Sequence, residues 1–322
     1  MTNHKKQRLI IIALLAAFLV VCLIVVLVYN HAAAPFRDLP PVAFNFPLSR
    51  EEWRRTRSAL SYPSYIYEYD LATKRVTPHY IEGLDWLDAD MAAKLVLGRM
   101  GDAIVELDLT NDSIRELGPA SYQDQPLEFV RWRPGTEDYC GITKNGKLVL
   151  WRQADQEFVL LKTTDWNGHS FGCSWSWDGK RLHIPDETGI GIIDIDTLEE
   201  THWLTLPIYY PEYHDPNYID YETAFSVSPH QNTVVYCTVE EKLMLAKISG
   251  DGHIIDEVEL GEFEFNCAFA ILDNDTVIFV CSRLDPFLFI HPEYEIRLYH
   301  EGTLWKVKKT DWANSEGTYV FW

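Results

Sequence analysis

Residues 174–184 read Ser-Trp-Ser-Trp-Asp-Gly-Lys-Arg-Leu-His-Ile, and this stretch decides the fold. Two short segments rich in apolar and aromatic residues flank the dipeptide Asp178-Gly179, which favours a tight hairpin turn. Residues 191–204 then predict two further strands around a polar turn. The sequence therefore predicts four antiparallel strands within about 35 residues, a spacing typical of repeated all-β units.

The same order of strands recurs along the chain, at residues 94–117, 138–162, 233–260 and 276–308. When the first strand of each unit is aligned, the equivalent positions are Trp86, Trp132, Trp175, Val227, Ile271 and Trp312. Successive positions lie 46, 43, 52, 44 and 41 residues apart. A repeat of roughly 40–45 residues with four strands per unit is the signature of a β-propeller.

Residues 174–184, followed by Ile192-Ile193-Asp194-Ile195-Asp196, resemble the TolB-type, WD-like propeller repeat. Residues 277–283 are similar to the end of the second strand of that repeat. The resemblance covers most of residues 62–322 and is strongest at 171–205, although Trp177 stands where the family has proline. It implies a propeller, often with a protein-binding role, and it implies no particular reaction.

The two ends of the chain predict how the ring closes. Residues 65–71 and 74–78 supply only a third and a fourth strand, and residues 312–322 supply only a first and a second. Together they form one composite blade, which adds to five complete units. We therefore expect an all-β, six-bladed propeller over residues 62–322, closed so that no sheet edge invites aggregation.

An uncharged apolar segment precedes the propeller. Residues 9–29 contain no charged side chain and would span about 31 Å as a helix, close to the hydrocarbon thickness of a bilayer. The tail at residues 1–8 carries three basic residues, and the next basic residue is Arg37. The positive-inside rule predicts a single-pass signal anchor in the cell membrane, with a cytoplasmic tail and an extracytoplasmic propeller.

Two other fates of this segment stay open. A cleaved signal peptide would fit Ala32-Ala33-Ala34, although such peptides have a shorter apolar core. A lipoprotein would use Cys22, although bulky valines precede it. Between anchor and propeller, residues 30–61 predict a proline-containing linker. A capping box at Ser49–Glu52 predicts a short helix near residues 50–60 within it.

Charge divides the chain into two parts. The 28 basic and 48 acidic residues give a formal net charge of −20, which argues against nucleic acid as a partner. Residues 1–60 hold eight basic and three acidic residues, or +5, so the remaining residues carry −25. A cationic anchor and linker therefore precede a strongly acidic disc.

Two long connections provide the candidate binding site. Residues 206–223 and 284–293 both fall on the face that carries the connections between blades, and long loops in compact domains are functional candidates. Aromatic rings flanked by acids suit protein surfaces, peptide amines or sugars. The alternative is that these rings only cap the central channel. The candidate binding residues are Tyr209, Tyr210, Glu212, Tyr213, Asp215, Tyr218, Asp220, Tyr221, Asp285, Phe287 and Phe289.

Catalytic and metal motifs are weak. Residues 168–172 match G-x-S-x-G, but that motif works in a strand-to-helix turn, and a propeller strand follows here. The triad Asp85, Asp88 and Asp90 lacks the glycine and distal glutamate of a calcium loop. The histidines do not have zinc-helix spacing. We predict no cofactor and no metal, and we expect the cysteines at 140, 173, 237, 267 and 281 to be buried thiols in strands.

These features predict a non-catalytic module that binds a protein or acts as a scaffold at the cell envelope. Its expected partners are the membrane, an envelope protein, and a saccharide or peptide ligand. The alternative is an envelope enzyme or lectin-like domain that acts on or binds a saccharide. An enzyme of this kind would use carboxylates such as Glu212, Asp215 or Asp220 on the long-loop face.

Overall fold

The computed structural model describes residues 17–25, 36–44, 65–164, 173–207, 225–238, 240, 242–262, 268–273, 276–283, 293–310 and 320–321. Within these ranges the chain forms six antiparallel sheets, each of them one blade. The predicted six-bladed, all-β propeller is therefore confirmed.

Five blades follow the predicted order of strands. Blade 1 contains β4 (Leu84–Asp90), β5 (Leu95–Met100), β6 (Ala103–Asp108) and β7 (Ser113–Pro119). Blade 2 contains β8 (Ser121–Tyr122), β9 (Gln125–Trp132), β10 (Tyr139–Thr143), β11 (Lys147–Arg152) and β12 (Glu157–Thr163). Blade 3 contains β13 (Ser174–Trp175), β14 (Arg181–Asp186), β15 (Gly189–Asp194) and β16 (Glu200–Thr205). Blade 4 contains β17 (Phe225–Val227), β18 (Thr233–Cys237), β19 (Lys242–Ile248) and β20 (Ile254–Glu262). Blade 5 contains β21 (Ala268–Asp273), β22 (Thr276–Arg283), β23 (Glu293–His300) and β24 (Thr303–Thr310).

The closing blade combines both ends of the chain, as predicted, but the strands are divided differently. Its order is β25 (Val320–Phe321), β1 (Val42–Phe44), β2 (Tyr65–Tyr69) and β3 (Val76–Tyr80). The second strand comes from the N-terminal segment and not from the C-terminus. The apolar triplet of β1 is fully buried and pairs with β2 on one side and β25 on the other. Residues 42–44 thus belong to the propeller and not to the predicted linker.

Strands β4, β9, β13, β17, β21 and β25 lie next to the axis and are called the first strands of their blades; in blade 2 the two-residue strand β8 precedes β9. Strand β25 lies beside β21 and β4, which closes the ring. We call the side that carries the first-to-second and third-to-fourth turns the turn face; examples are residues 176–180 and 195–199. The opposite side, with the second-to-third turns and the ends of the connections between blades, is the loop face; residues 187–188 and 206–207 belong to it.

The turn predicted at Asp178-Gly179 is formed by local hydrogen bonds. Gly179 has a φ of 65°, a region that favours glycine. Its N–H donates to the Ser176 carbonyl at 2.9 Å, and the Ser176 hydroxyl donates to Asp178 at 2.7 Å. Trp175 and Leu182 on the two strands of this hairpin are buried against Leu148 and Leu150 of blade 2. Packing between adjacent blades therefore forms the core.

The N-terminal segment is described only in part. Residues 17–25 are helical, and the rest of the predicted anchor at 9–29 lies outside the described residues, as does the short helix predicted near 50–60. Among the described residues, no helix combines the length and the apolar character needed to cross a bilayer.

Candidate functional site

The predicted binding residues on the two long connections all lie outside the described residues. The structure does place the points from which these connections leave. Strand β16 ends at Thr205 and β17 begins at Phe225, whereas β22 ends at Arg283 and β23 begins at Glu293. Both connections leave and return on the loop face, as the sequence predicts.

A pocket at the propeller axis is one concave site that described residues line. Its volume is about 220 Å³. First strands of all five complete blades line it, through Asp88, Ala89, Arg131, Trp132, Cys173, Ser174, Trp175, Phe225, Ser226, Val227, Phe269, Ala270 and Ile271, together with Pro229. Phe225 begins strand β17, and Pro229 lies in the turn after it. The lining therefore extends along the axis from the loop-face end of the strands to the turn face.

An ion pair between blades 1 and 2 forms the charged part of the pocket. Arg131 donates from Nη1 to the Asp88 carboxylate at 2.9 Å and to the Leu87 carbonyl at 3.0 Å. The backbone N–H groups of Ala89 and Trp132 also donate to Asp88, at 3.0 and 3.1 Å. Asp88 is positioned by a β-bulge in strand β4, where the pairing register shifts between Trp86 and Asp88.

Burial and charge act in opposite directions on Asp88. Burial raises the pKa of its carboxyl group, while the Arg131 guanidinium and the two backbone N–H donors lower it. The side chains of Asp88 and Arg131 are only 19% and 21% exposed, so the pair lies in a largely desolvated site. The guanidinium carbon lies 4.5 Å from the centre of the Phe129 ring, which fixes its plane by a cation–π contact.

The remaining polar groups of the pocket belong mainly to the backbone. Strands β13, β17 and β21 are edge strands of their sheets, so one edge of each has no partner within its own blade. The Ser174 hydroxyl oxygen accepts a hydrogen bond from the Val227 N–H at 3.1 Å, which links blades 3 and 4. Within the described residues the hydrogen bonds of Arg131 all use Nη1, so Nε and Nη2 can donate to a ligand.

The described lining of the pocket is poor in ionisable groups. Asp88 is the one carboxylate among the lining residues, and it is already bound to Arg131. Glycoside hydrolysis usually needs two carboxyl groups about 5–9.5 Å apart. The carboxylates proposed for a saccharide enzyme, Glu212, Asp215 and Asp220, lie outside the described residues.

The aspartates of strand β4 do not converge. Asp85 pairs with Arg99, Asp88 with Arg131, and Asp90 accepts a hydrogen bond from the Ala93 N–H at 2.9 Å. The part of the chain that the structure describes contains no cluster of three or more His, Cys, Asp or Glu residues arranged for a metal ion. The motif at residues 168–172 lies outside the described residues.

A hydrogen-bonded relay lies where the long connection after blade 3 begins. His202 Nδ1 donates to the Asp186 carboxylate at 2.6 Å, and Nε2 lies within hydrogen-bond distance of the Thr205 hydroxyl, at 3.0 Å. The His202 side chain is 45% exposed. These contacts hold the end of strand β16 against the β14–β15 turn, at the point where the connection after blade 3 begins.

Sequence reasoning missed both the relay and the Arg131–Asp88 pair. Arg131 and Asp88 are 43 residues apart and come from different blades, so no local motif joins them. One signal was present: both are charged residues in first strands, which face the axis and are otherwise rich in apolar residues. Such charges at the axis of a predicted propeller mark candidate ligand contacts.

Fold and site together define a six-bladed β-propeller with a partly polar axial pocket. No family model and no curated protein matches the sequence. Among solved structures, the chain is similar to TolB from Acinetobacter baumannii, with a TM-score of 0.58 and 10% identity over 89% of this chain and 67% of that one. A structure assigned as TolB from Agrobacterium tumefaciens gives a TM-score of 0.47 and 16% identity over 85% and 90% of the two chains. The Cps50 (Swd1) β-propeller domain from Myceliophteria thermophila gives 0.44 and 14% over 79% and 82%.

At these identities the likeness concerns the fold alone. It agrees with the resemblance of residues 174–184 to the TolB-type repeat, because the Acinetobacter structure aligns with most of the chain. The chain is thus a β-propeller whose fold resembles that of TolB.

Proposed function

We propose that the protein is a membrane-anchored, extracytoplasmic propeller that binds a segment of a protein partner and catalyses no reaction. The observation that carries the proposal is the axial pocket, in which strand edges and the donors of Arg131 line one cavity. Pockets with a few fixed polar groups and apolar walls are typical binding sites.

The chemistry of the pocket favours an extended peptide as the occupant. Strands β13, β17 and β21 have no strand partner on the axial side within their own blades, and their backbone N–H and C=O groups are of the kind that an extended chain can pair with. Arg131 adds a donor for a carbonyl or carboxylate oxygen. Because Asp88 neutralises most of its charge, the pocket does not require a highly charged ligand.

The proposed location rests on the sequence. Residues 9–29 carry no charge and are long enough to cross a bilayer as a helix, and basic residues precede them. Under this proposal residues 1–8 are cytoplasmic and the propeller meets its partner at the cell envelope. Protease added to intact spheroplasts should digest the propeller, and complete protection would exclude the proposed side.

Site-specific photo-crosslinking in cells tests the binding proposal. A photoreactive amino acid replaces Ser226 in the pocket or, as the control, Ile255 on outer strand β20, which is 68% exposed. We expect a discrete protein adduct from position 226 and none from position 255. Equal adducts from both positions, or adducts from 255 alone, would exclude the pocket as the binding site.

A matched pair of arginine substitutions then measures the contribution of the pocket to affinity. Arg131→Gln removes the pocket cation, whereas Arg115→Gln removes an arginine that is ion-paired on outer strand β7. Hydrogen bonds to charged groups contribute roughly 1.5–3 kcal/mol, so we expect at least about tenfold weaker binding of the crosslinked partner for Arg131→Gln only. Equal affinities of the two variants would refute the role of Arg131.

A further inference from the structure

The segment that leads from the predicted anchor enters the propeller at a defined place. The Phe36 ring is buried and packs edge-on against Trp305 of strand β24, with ring centroids 5.4 Å apart. Phe36 also belongs to the core cluster that contains Leu71, and Leu39 packs against that cluster. The chain is therefore docked on the disc from Phe36 onwards.

The register of strand β1 shows which face this is. Val42 pairs with Tyr69, the last residue of β2, and the β2–β3 turn follows at residues 70–75. That turn joins a third to a fourth strand, so it lies on the turn face. Trp305 lies just after the β23–β24 turn at residues 301–302, which is on the same face. Residues 36–41 therefore join the disc at the turn face.

The length of chain between anchor and disc is short. Seven peptide units separate Tyr29, the last residue of the uncharged segment, from Phe36. A fully extended chain of this length reaches at most about 25 Å. We infer that the turn face is directed at the bilayer and that the loop face is the surface presented to a protein partner approaching from the opposite side. This inference rests on the membrane anchor of the proposed function.

Charge on the turn face agrees with a hydrated gap between disc and bilayer. Hydrogen bonds from neighbouring Ser, Thr and backbone groups lower the pKa of four turn-face aspartates, so these remain ionised: Asp108, Asp178, Asp194 and Asp251. An anionic leaflet repels such a face over a screening length of about 8 Å at physiological ionic strength. Because the tether reaches further than this, the face can stay near the bilayer without touching it.

Energy transfer to labelled lipid measures the orientation. The full chain is reconstituted into vesicles of phosphatidylcholine and phosphatidylglycerol that carry an acceptor on the lipid headgroups. A donor is attached through a clickable amino acid at Asp155 in a turn-face hairpin or at Glu187 in a loop-face hairpin, both exposed. The six-residue strand β15 spans about 20 Å, so the two positions should differ by a similar distance from the bilayer.

We expect higher transfer from position 155 than from position 187. A flexible Gly/Ser insertion between Ala34 and Pro35 lengthens the tether and should reduce this difference. Equal transfer from both positions with the native tether, or higher transfer from 187, would overturn the inference even if the protein stays in the membrane. Release of the unlabelled full chain by alkaline carbonate would instead refute the anchor in the proposed function, and the orientation with it.

Discussion

The buried His183 should make the stability of the propeller depend on pH. This side chain lies in strand β14 with no measurable exposure, and its Nδ1–H donates to the Ser174 carbonyl at 3.0 Å. Nε2 has no hydrogen-bond partner among the described residues. Burial lowers the pKa of His183 from 6.5 to about 4, and Arg181 adds to the effect, while the bond to Ser174 opposes it.

The sign and size of the effect follow from the two protonation states. Between pH 6.5 and 4 the unfolded chain binds a proton at His183 and the folded chain does not, so the free energy of unfolding falls as the pH falls. A pKa lowered from 6.5 to about 4 corresponds to a total loss of about 3 kcal/mol, of which about 2 kcal/mol is already lost at pH 5. Above pH 7 His183 contributes no pH dependence.

Urea unfolding of the full chain at pH 7.5, 6.5, 5.5 and 5.0 measures this loss. His183→Asn keeps an N–H donor for the Ser174 carbonyl but does not titrate, so its stability should fall by about 2 kcal/mol less than that of the native chain between pH 7.5 and 5.0. His253→Asn makes the same substitution at an exposed turn residue and serves as the matched control. If the native chain and His183→Asn lose stability in parallel, the folded protein binds a proton at His183 at an ordinary pKa, and the reasoning is refuted.

Three further outcomes test ring closure, packing and thiol burial. Two truncations each remove a strand of the closing sheet: a chain that begins at residue 62 lacks β1, and a chain that ends at residue 311 lacks β25. We expect each truncated protein to be insoluble or, in thermal scanning, to melt far below the full chain. Gly146→Ala would place a Cβ 2.1 Å from a backbone oxygen at a φ of 77°, so it should lower the free energy of unfolding by several kcal/mol in urea. Gly135→Ala, which has open space at a φ of 70°, should lower it by only about 1 kcal/mol. Cys140 and Cys173 are buried with their sulfurs 3.9 Å apart, and burial raises the pKa of the Cys173 thiol. Both thiols should therefore resist alkylation until the chain unfolds, and rapid labelling of the native protein would contradict this.

The repeat could be predicted because strand alternation and turn chemistry are local properties. Apolar strands separated by short polar turns recur in five units, and the Asp178-Gly179 turn forms the expected hairpin in blade 3. Strand β1 could not be predicted in this way. Its three residues lie between Pro41 and Pro47 and are too short for a pattern, and they become a strand only because β2 and β25 lie on either side. Tertiary context thus supplied what local sequence lacked.

The axial pocket was harder to predict for a related reason. The contact between Asp88 and Arg131 depends on how two blades are rotated about a common axis, which strand patterns do not specify. The pairing also depends on the bulge between Trp86 and Asp88, which re-aims the carboxylate. Charged residues in first strands identify where to look, but their partners emerge only from the assembled ring.

The segment at residues 36–44 both leads into the propeller and helps to close the ring. Strand β1 pairs with β25, so the N-terminal segment holds the C-terminal strand in the ring. Phe36, a few residues earlier, docks on Trp305 of the neighbouring blade. The contact between Phe36 and Trp305 and the pairing of β1 with β25 therefore connect the N-terminal segment to the ring. Under the proposed anchoring, the same nine residues, 36–44, both help to close the ring and set the orientation of the disc.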